Sequence, residues 1–160
     1  MLKTEKLKLV SEWDKTFPQS EKVDHKKVIF VNRYGITLAA DLYKPKNASG
    51  KYPAIAVSGP FGAVKEQCSG LYAQTMAERG YLTIAFDPSF TGESGGYPRF
   101  MASPDINTED FMATVDFLSV REDVDPDKIG IIGICGWGGM ALNAAALDTR
   151  IKATVASTMY

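Results

Sequence analysis

The chain contains a single histidine in 160 residues, and this scarcity constrains its chemistry more than any other count. His25 lies in DHKKVIFVN, ahead of every segment that looks catalytic, and no histidine follows any of them. Cysteine is almost as rare. Cys68 and Cys135 are too few for a disulfide framework and lack the paired spacing of a zinc site, so a reducing, cytoplasmic setting is expected. No stretch approaches the roughly 20 apolar residues of a membrane span. The opening MLKTEKLKLVSEWDKTF is charged throughout, without the apolar core of a secretory signal. Neither sign of charge dominates: 18 basic and 19 acidic residues leave a net charge of −1, which argues against a nucleic-acid partner and names no other. Internal repeats and low-complexity segments are also lacking.

What is present fits one domain with a genuine core, at an ordinary 45% apolar content. Residues 1–20 read as a polar arm, with Trp13 and Phe17 as anchors, and residues 21–160 as the domain. VIFVN (28–32) and ITLAADLY (36–43), separated by Arg33, Tyr34 and Gly35, have the spacing of a β-hairpin. KPKNASGKYP follows as a loop. Then come AIAVSG as a strand, a helix around EQCSGLYAQTMAERG, YLTIAFD as a strand, and a Gly/Pro/Ser-rich loop. INTEDFMATVDFLSVRED is an amphipathic helix behind an Asn/Thr cap, KIGIIGIC a strand, GWGGMALNAAALD a small-residue helix, and RIKATVAST a last strand. This order predicts an α/β fold: a mostly parallel sheet with a leading antiparallel hairpin and helices on both faces.

Two segments compete as a nucleophile elbow, the strained strand-to-helix turn that lifts a reactive side chain above a sheet. Gly92-Glu93-Ser94-Gly95-Gly96 matches G-x-S-x-G letter for letter. Ser94 nevertheless lacks a strand leading directly into it, and Gly96, Tyr97 and Pro98 make a poor helix start, so it reads as a flexible loop serine on the rim of the site. Cys135 has both neighbours. KIGIIGI delivers it, Gly136 permits the tight turn, and Gly138 and Gly139 let the next helix pack close to the sheet. Helix N-termini favour the thiolate, which attacks carbonyl carbon to give a thioester. The competing reading is a buried, inert cysteine. It gains weight from Trp137, where a small residue is usual, and a register shift of one would put Gly136 at the nucleophile position.

An oxyanion hole needs two backbone N–H donors, and losing one typically costs about 10²–10³ in rate. Gly136 supplies one. In Ser58-Gly59-Pro60-Phe61-Gly62 the proline has no N–H, so Phe61 is the expected second donor; the plain alternative is a Gly/Pro turn with no such task. Lys65, Glu66 and Gln67 read as the charged first turn of the next helix, and Cys68 as packing.

Taken together, VIFVNRYGITLAADLYKP, SGPFGAVKEQ, FDPSFTGESGG and DPDKIGIIGICGWGG resemble the dienelactone-hydrolase-like and peptidase-S15-like α/β-hydrolases. The YcjY-like branch, itself similar to fungal polyketide transferases, is the nearest likeness, from about residue 20 onward. GICGWGG is the most specific piece. The resemblance places Cys135 on the nucleophile, Gly136 and Phe61 on the oxyanion donors, and Ser94 in a loop. It implies hydrolysis of an ester, lactone or thioester without cofactor or metal. Acyl transfer from the same acyl-cysteine and a non-catalytic binding module are the alternatives.

The resemblance also implies an acid and a histidine after the nucleophile. Asp148 is the only carboxylate there, at the end of the helix that starts at Cys135, and no histidine follows. The chain is therefore expected to be the N-terminal portion of the fold. A second chain or missing C-terminal segment would complete the sheet, supply base and acid, and cover an otherwise unpaired last strand.

Overall fold

The computed structural model describes residues 4–46 and 49–159. Residues 1–3 of the expected arm, residues 47 and 48 of the expected loop, and residue 160 lie outside the described residues. Six strands form one mixed sheet in the order β1-β2-β4-β3-β5-β6. The strands are β1 (Val23–Val31), β2 (Thr37–Pro45), β3 (Tyr52–Ser58), β4 (Leu82–Phe86), β5 (Val124–Ile134) and β6 (Ile151–Ser157). β1 and β2 are antiparallel, β2 runs antiparallel to β4, and β4, β3, β5 and β6 are mutually parallel. Three helices connect the parallel strands: α1 (Cys68–Ala77), α2 (Pro104–Ser119) and α3 (Gly136–Leu147).

The hairpin is longer than its apolar letters suggest, because cross-strand pairing continues through the polar stretch Val23–Lys27. Asn32 builds its turn: its Oδ1 accepts from the N–H groups of Tyr34 and Ile36, the local mimicry that suits asparagine to turns. The cap of α2 is Ser103, followed by Pro104, in place of the expected Asn/Thr pair. Proline starts a helix at no cost because its missing N–H would be unpaired there anyway. Asn107 instead reaches back, accepting from the Ser103 N–H at 2.8 Å.

The sheet has two different faces. On one, α2 buries Phe111, Val115 and Leu118, and α3 buries Met140, Ala141 and Ala144, against Ile84, Phe86, Ile129 and Ile131. On the other, α1 lays Ala73 and Ala77 over Val57 and Ala85. Phe17 of the arm is buried there, and Trp13 packs against the same cluster. The arm is also tied by its backbone: the N–H groups of Glu5, Val10 and Thr16 donate to Thr37 Oγ1, Glu93 Oε1 and the Glu66 carbonyl.

Beyond α1, the same face opens into an apolar trough lined in part by Ile55, Met76, Tyr81, Ile132 and Val155. No described helix is long and apolar enough to cross a membrane.

Candidate active site

Cys135 stands between the end of β5 and the first turn of α3 with φ 59° and ψ −131°. A side-chain-bearing residue in this region is strained, by about 1–3 kcal/mol, and persists only where its surroundings hold it. Here the Cys135 N–H donates to the Ser157 carbonyl and its own carbonyl accepts from Gly138, both at 2.8 Å. Gly133 lets the helix come so close: a Cβ there would lie 2.2 Å from the Trp137 carbonyl oxygen. The thiol is free and partly accessible.

The structure brings Phe61 and Gly136 together. A Cβ on Gly136 would run into the Phe61 ring, so a larger residue there would have to push that half-exposed ring aside. Phe61 also meets Trp137 edge-on, with centroids 4.5 Å apart. Gly59, at φ +100°, anchors the loop, because a Cβ there would sit 2.3 Å from the Ile134 carbonyl oxygen and 2.9 Å from Trp137 Cβ. Gly59 and Gly133 thus let the first turn of α3, at the backbone and Cβ of Trp137, approach the loop after β3 and the end of β5. The Trp137 indole Nε1 is buried without a hydrogen-bond acceptor.

Ser94 is a different residue from the rim serine its sequence suggests. It is 2% exposed, and its hydroxyl accepts from the Ala39 N–H at 2.8 Å and donates to the Asp87 carbonyl at 2.7 Å. Ser94 is a buried strut joining β2 to the loop after β4, which corrects its reading as a flexible serine on the rim.

Lys65 and Glu66 are likewise not a solvated first turn. They precede α1, and the Lys65 ammonium is wholly buried, bonded to Glu66, to Asp87 at 2.9 Å and to Glu93 at 2.7 Å. Burial would lower its pKa, but attraction to Asp87 and hydrogen bonds to Glu66 and Glu93 outweigh that and hold it above the ordinary lysine value. Burial pushes the Asp87 carboxyl up, against the pull of Lys65. The network continues through Lys27, 2.7 Å from Glu93, and separately through Lys15, 2.8 Å from Asp14 and 3.0 Å from Asp41. Asp14, Glu66 and Glu93 each bring one oxygen within cation-binding reach of the others, but the Lys27 and Lys65 ammonium groups already neutralise them. A second buried cluster centres on Asp110, which accepts from Ser89, Asn32 and Asn107.

His25 bonds Asp41 at 2.7 Å and sits between the rings of Trp13 and Tyr43, so its partners belong to the arm and the hairpin. Asp148 is bound to Arg150 at 2.6 Å. Among the described residues, neither imidazole nor carboxylate hydrogen-bonds Cys135. Cys68 lies with its Sγ 3.7 Å from the Gly59 carbonyl, and burial pushes its thiol up.

A family model described as X-Pro dipeptidyl-peptidase (S15 family) matches residues 34–160. The chain is 72% identical over 155 residues to the uncharacterized protein PA2218 of Pseudomonas aeruginosa, covering 96% of this chain and 42% of that one. The crystal structure of PA2218 superposes with a TM-score of 0.95 at 71% identity, over 98% of this chain and 49% of that chain. YcjY of Escherichia coli is 47% identical over 131 residues, or 79% of this chain and 43% of YcjY. Thiohydrolase aneE of Aspergillus aculeatus is 33% identical over 133 residues, or 83% of this chain and 41% of aneE. The chain thus spans less than half the length of each of these relatives.

Proposed function

This chain belongs to the X-Pro dipeptidyl-peptidase (S15) family of α/β-hydrolases, and from that premise we propose that it carries the nucleophile of a cysteine-dependent acyl hydrolase. The observation that carries this reading is the strained backbone of Cys135 at a strand-to-helix junction, a conformation kept for function more readily than for packing. The Cys135 thiolate attacks the carbonyl carbon of an ester, lactone or thioester. The N–H groups of Gly136 and Phe61 stabilise the oxygen that gains the negative charge. Collapse of the tetrahedral species breaks the bond to the leaving alcohol or thiol, which departs with a proton and leaves acyl-Cys135. Water then attacks this thioester, releasing the acid and restoring the thiol.

No step calls for a metal or cofactor. The general base and the acid that orients it come from outside the described residues, on the remainder of a longer protein or on a second chain that completes the sheet beyond β6. In this reading residues 21–160 are the hydrolase portion and residues 1–20 an arm. A reducing, cytoplasmic setting belongs with it, because the thiol works only while reduced.

Transfer of the acyl group to an alcohol or amine follows the same path to acyl-Cys135, and a relative named thiohydrolase is matched alongside one named acyltransferase. A competing amine added during turnover separates the two by product analysis. A non-catalytic binding module is the third reading, favoured by Trp137 beside the cysteine.

Alkylation by iodoacetamide, mapped by peptide mass across pH, tests the nucleophile. Cys135 is expected to react about tenfold faster than Cys68 at neutral pH, since burial keeps the latter protonated. Equal or slower reaction at Cys135 removes the support for both enzymatic readings.

A further inference from the structure

The family model matches from residue 34 onward, so the arm lies outside what it describes. The arm nevertheless touches both loops that flank Cys135. The loop after β3 carries Phe61 against Gly136, and the loop after β4 faces it across a cavity that Trp137 also lines. Thr16 donates its N–H at 2.9 Å and its hydroxyl at 3.3 Å to the Glu66 carbonyl, at the end of the first loop. In the second loop, Glu93 Oε1 accepts from the Val10 N–H at 2.6 Å, and the Gly96 N–H donates to Glu5 at 3.4 Å. Asp14 reaches both loops through Lys27, whose ammonium lies 3.6 Å from Asp14, 3.6 Å from Glu66 and 2.7 Å from Glu93.

Beneath these contacts the loops are braced to one another. Asp87 accepts from the Lys65 N–H at 2.8 Å in the first loop and from the Glu93 N–H at 2.9 Å in the second, and the Lys65 ammonium bonds both Asp87 and Glu93. The brace is nearly dry: the Lys65 side chain is 0% exposed, and those of Glu66 and Glu93 are 12% and 14% exposed. Such bonds fix a geometry firmly where water does not compete, whereas exposed ion pairs are worth little. The arm that covers the brace is itself held unevenly. Its second half is anchored, with Phe17 buried and Gln74 of α1 bonded to the Ser20 N–H and the Pro18 carbonyl. In its first half, none of residues 4–12 is buried and none lies in a helix or strand. A segment with so few buried contacts opens at a small fraction of the free energy that unfolds a domain.

We propose that residues 4–12 are a releasable strap: seated, they hold the loop of Phe61 and the loop after β4 against one another beside Cys135, and lifted, they free both loops while the sheet stays folded. Lifting takes the Val10 N–H from Glu93 and admits water to the Lys65 brace. The loop that carries the expected oxyanion donor then loses its fixed position, so the strap is a control on the site from outside it. That this control bears on catalysis rests on Cys135 being the nucleophile; the coupling of arm to loops does not.

Hydrogen exchange of the intact protein, resolved by peptide mass, tests this without any reaction at Cys135. Val10→Pro removes the one N–H that Glu93 accepts from the strap, at an exposed position, and Val10→Ala keeps it. Val10→Pro is expected to speed exchange about threefold, and deletion of residues 4–12 about tenfold, in residues 59–67 and 89–97 alike. The Lys65 amide reports the spread, since Val10 does not bond the loop that holds it. Residues 111–118 of α2 and 129–134 of β5 should exchange as before, and Val10→Ala should match the unaltered chain throughout. Loops that exchange as before in Val10→Pro overturn the proposal, and so does acceleration confined to residues 89–97. Equal acceleration in α2 and β5 overturns it too, because the arm would then support the whole domain. Should the deletion fail to fold, Val10→Pro against Val10→Ala decides alone, and equal behaviour of those two sinks the strap. Failure of the nucleophile is told apart from this: a sluggish Cys135 with arm-dependent loops sinks the proposed function and keeps the strap, and a reactive Cys135 with indifferent loops does the reverse.

Discussion

The two flanks of the sheet invert the usual arrangement in opposite ways. On the β1-β2-β4 side charged groups are inside: Lys65, Asp41 and Asp87 are 0% exposed, roofed by the arm and by the turn before α1. On the β5-β6 side apolar groups are outside: Val155 is 53% exposed and Leu147 70%. Burying charge is tolerable only where partners surround it. The first flank meets that condition with its own residues, so it is complete as it stands. The second exposes apolar surface above an edge strand, the state in which sheets seek a cover. Cys135 lies where the flanks meet, at the end of β5 with its backbone N–H held by the Ser157 carbonyl at the end of β6.

The closed flank should therefore be the fragile one to single changes. Lys65→Met leaves Asp87, Glu66 and Glu93 without their shared cation, and breaking a buried pair in this way costs about 3–5 kcal/mol. Urea unfolding followed by circular dichroism measures it. A loss under about 1 kcal/mol would mean that water or rearranged carboxylates compensate, and the contrast between flanks would fail. A smaller effect is expected at the junction. Gly59→Ala adds a Cβ 2.3 Å from a backbone oxygen at φ +100°, and should destabilise by about 3 kcal/mol. Gly62→Ala, at φ +74° with open space around it, should cost about 1 kcal/mol. Equal losses would show that backbone strain alone holds the loop, without contact between Gly59 and the elbow.

The order of strands and helices was legible because hydrophobic period and Gly/Pro punctuation are local signals. The leading hairpin, the mostly parallel sheet and the helices on both faces followed from alternation. The strand-to-helix junction at Cys135 was legible for a related reason: KIGIIGIC and GWGG show the strand and the turn, and the structure adds the positive φ of Cys135. The buried network was not legible. Lys65 and Glu66 look like a solvated turn, because what buries them is an arm some fifty residues away in sequence, through contacts such as Thr16 to Glu66. Two letters did carry a signal: Asp41 interrupts an otherwise apolar strand, and Asp87 ends one. Ser94 misleads for the mirror reason, since a loop rich in Gly and Pro looks mobile while Arg99, Asp87 and Ala39 pin it.

Acid sharpens the contrast more gently. Burial pushes the Asp41 carboxyl up, but the His25 hydrogen bond and the charges of Lys15 and Lys65 more than reverse this and hold it below the ordinary aspartate value of 3.8. Glu93 and Asp14 are held low in the same manner by their lysines. A carboxyl depressed in the folded state contributes stability that is fully present above its unfolded value and is lost as pH falls through the folded one. Stability of the closed flank should therefore decline below about pH 4. Asp87, raised by burial, works in the opposite sense and in the window above that pH, where protonating it adds stability as pH falls. Asp41→Asn should flatten the acid limb of a stability-against-pH curve while lowering its plateau, because Lys15 and His25 lose their partner. An acid limb of unchanged slope in that variant would place the pH dependence elsewhere.

The smallest effect on stability is expected on the open flank, and its smallness is what makes it informative. Val155 lies on β6 with 53% of its surface exposed along the trough. Val155→Lys removes no buried contact of the kind that holds Phe111 or Ile84, and its long apolar stem can lie along the same surface. Unfolding free energy should change by no more than about 0.5 kcal/mol. The same substitution places a charge on an apolar face beside an edge strand, so concentration-dependent self-association, read by analytical ultracentrifugation, should fall relative to the unaltered chain. A loss above about 1 kcal/mol would show that this face is already covered in solution. The flanks would then differ in what covers them, the chain's own arm on one side and another molecule on the other.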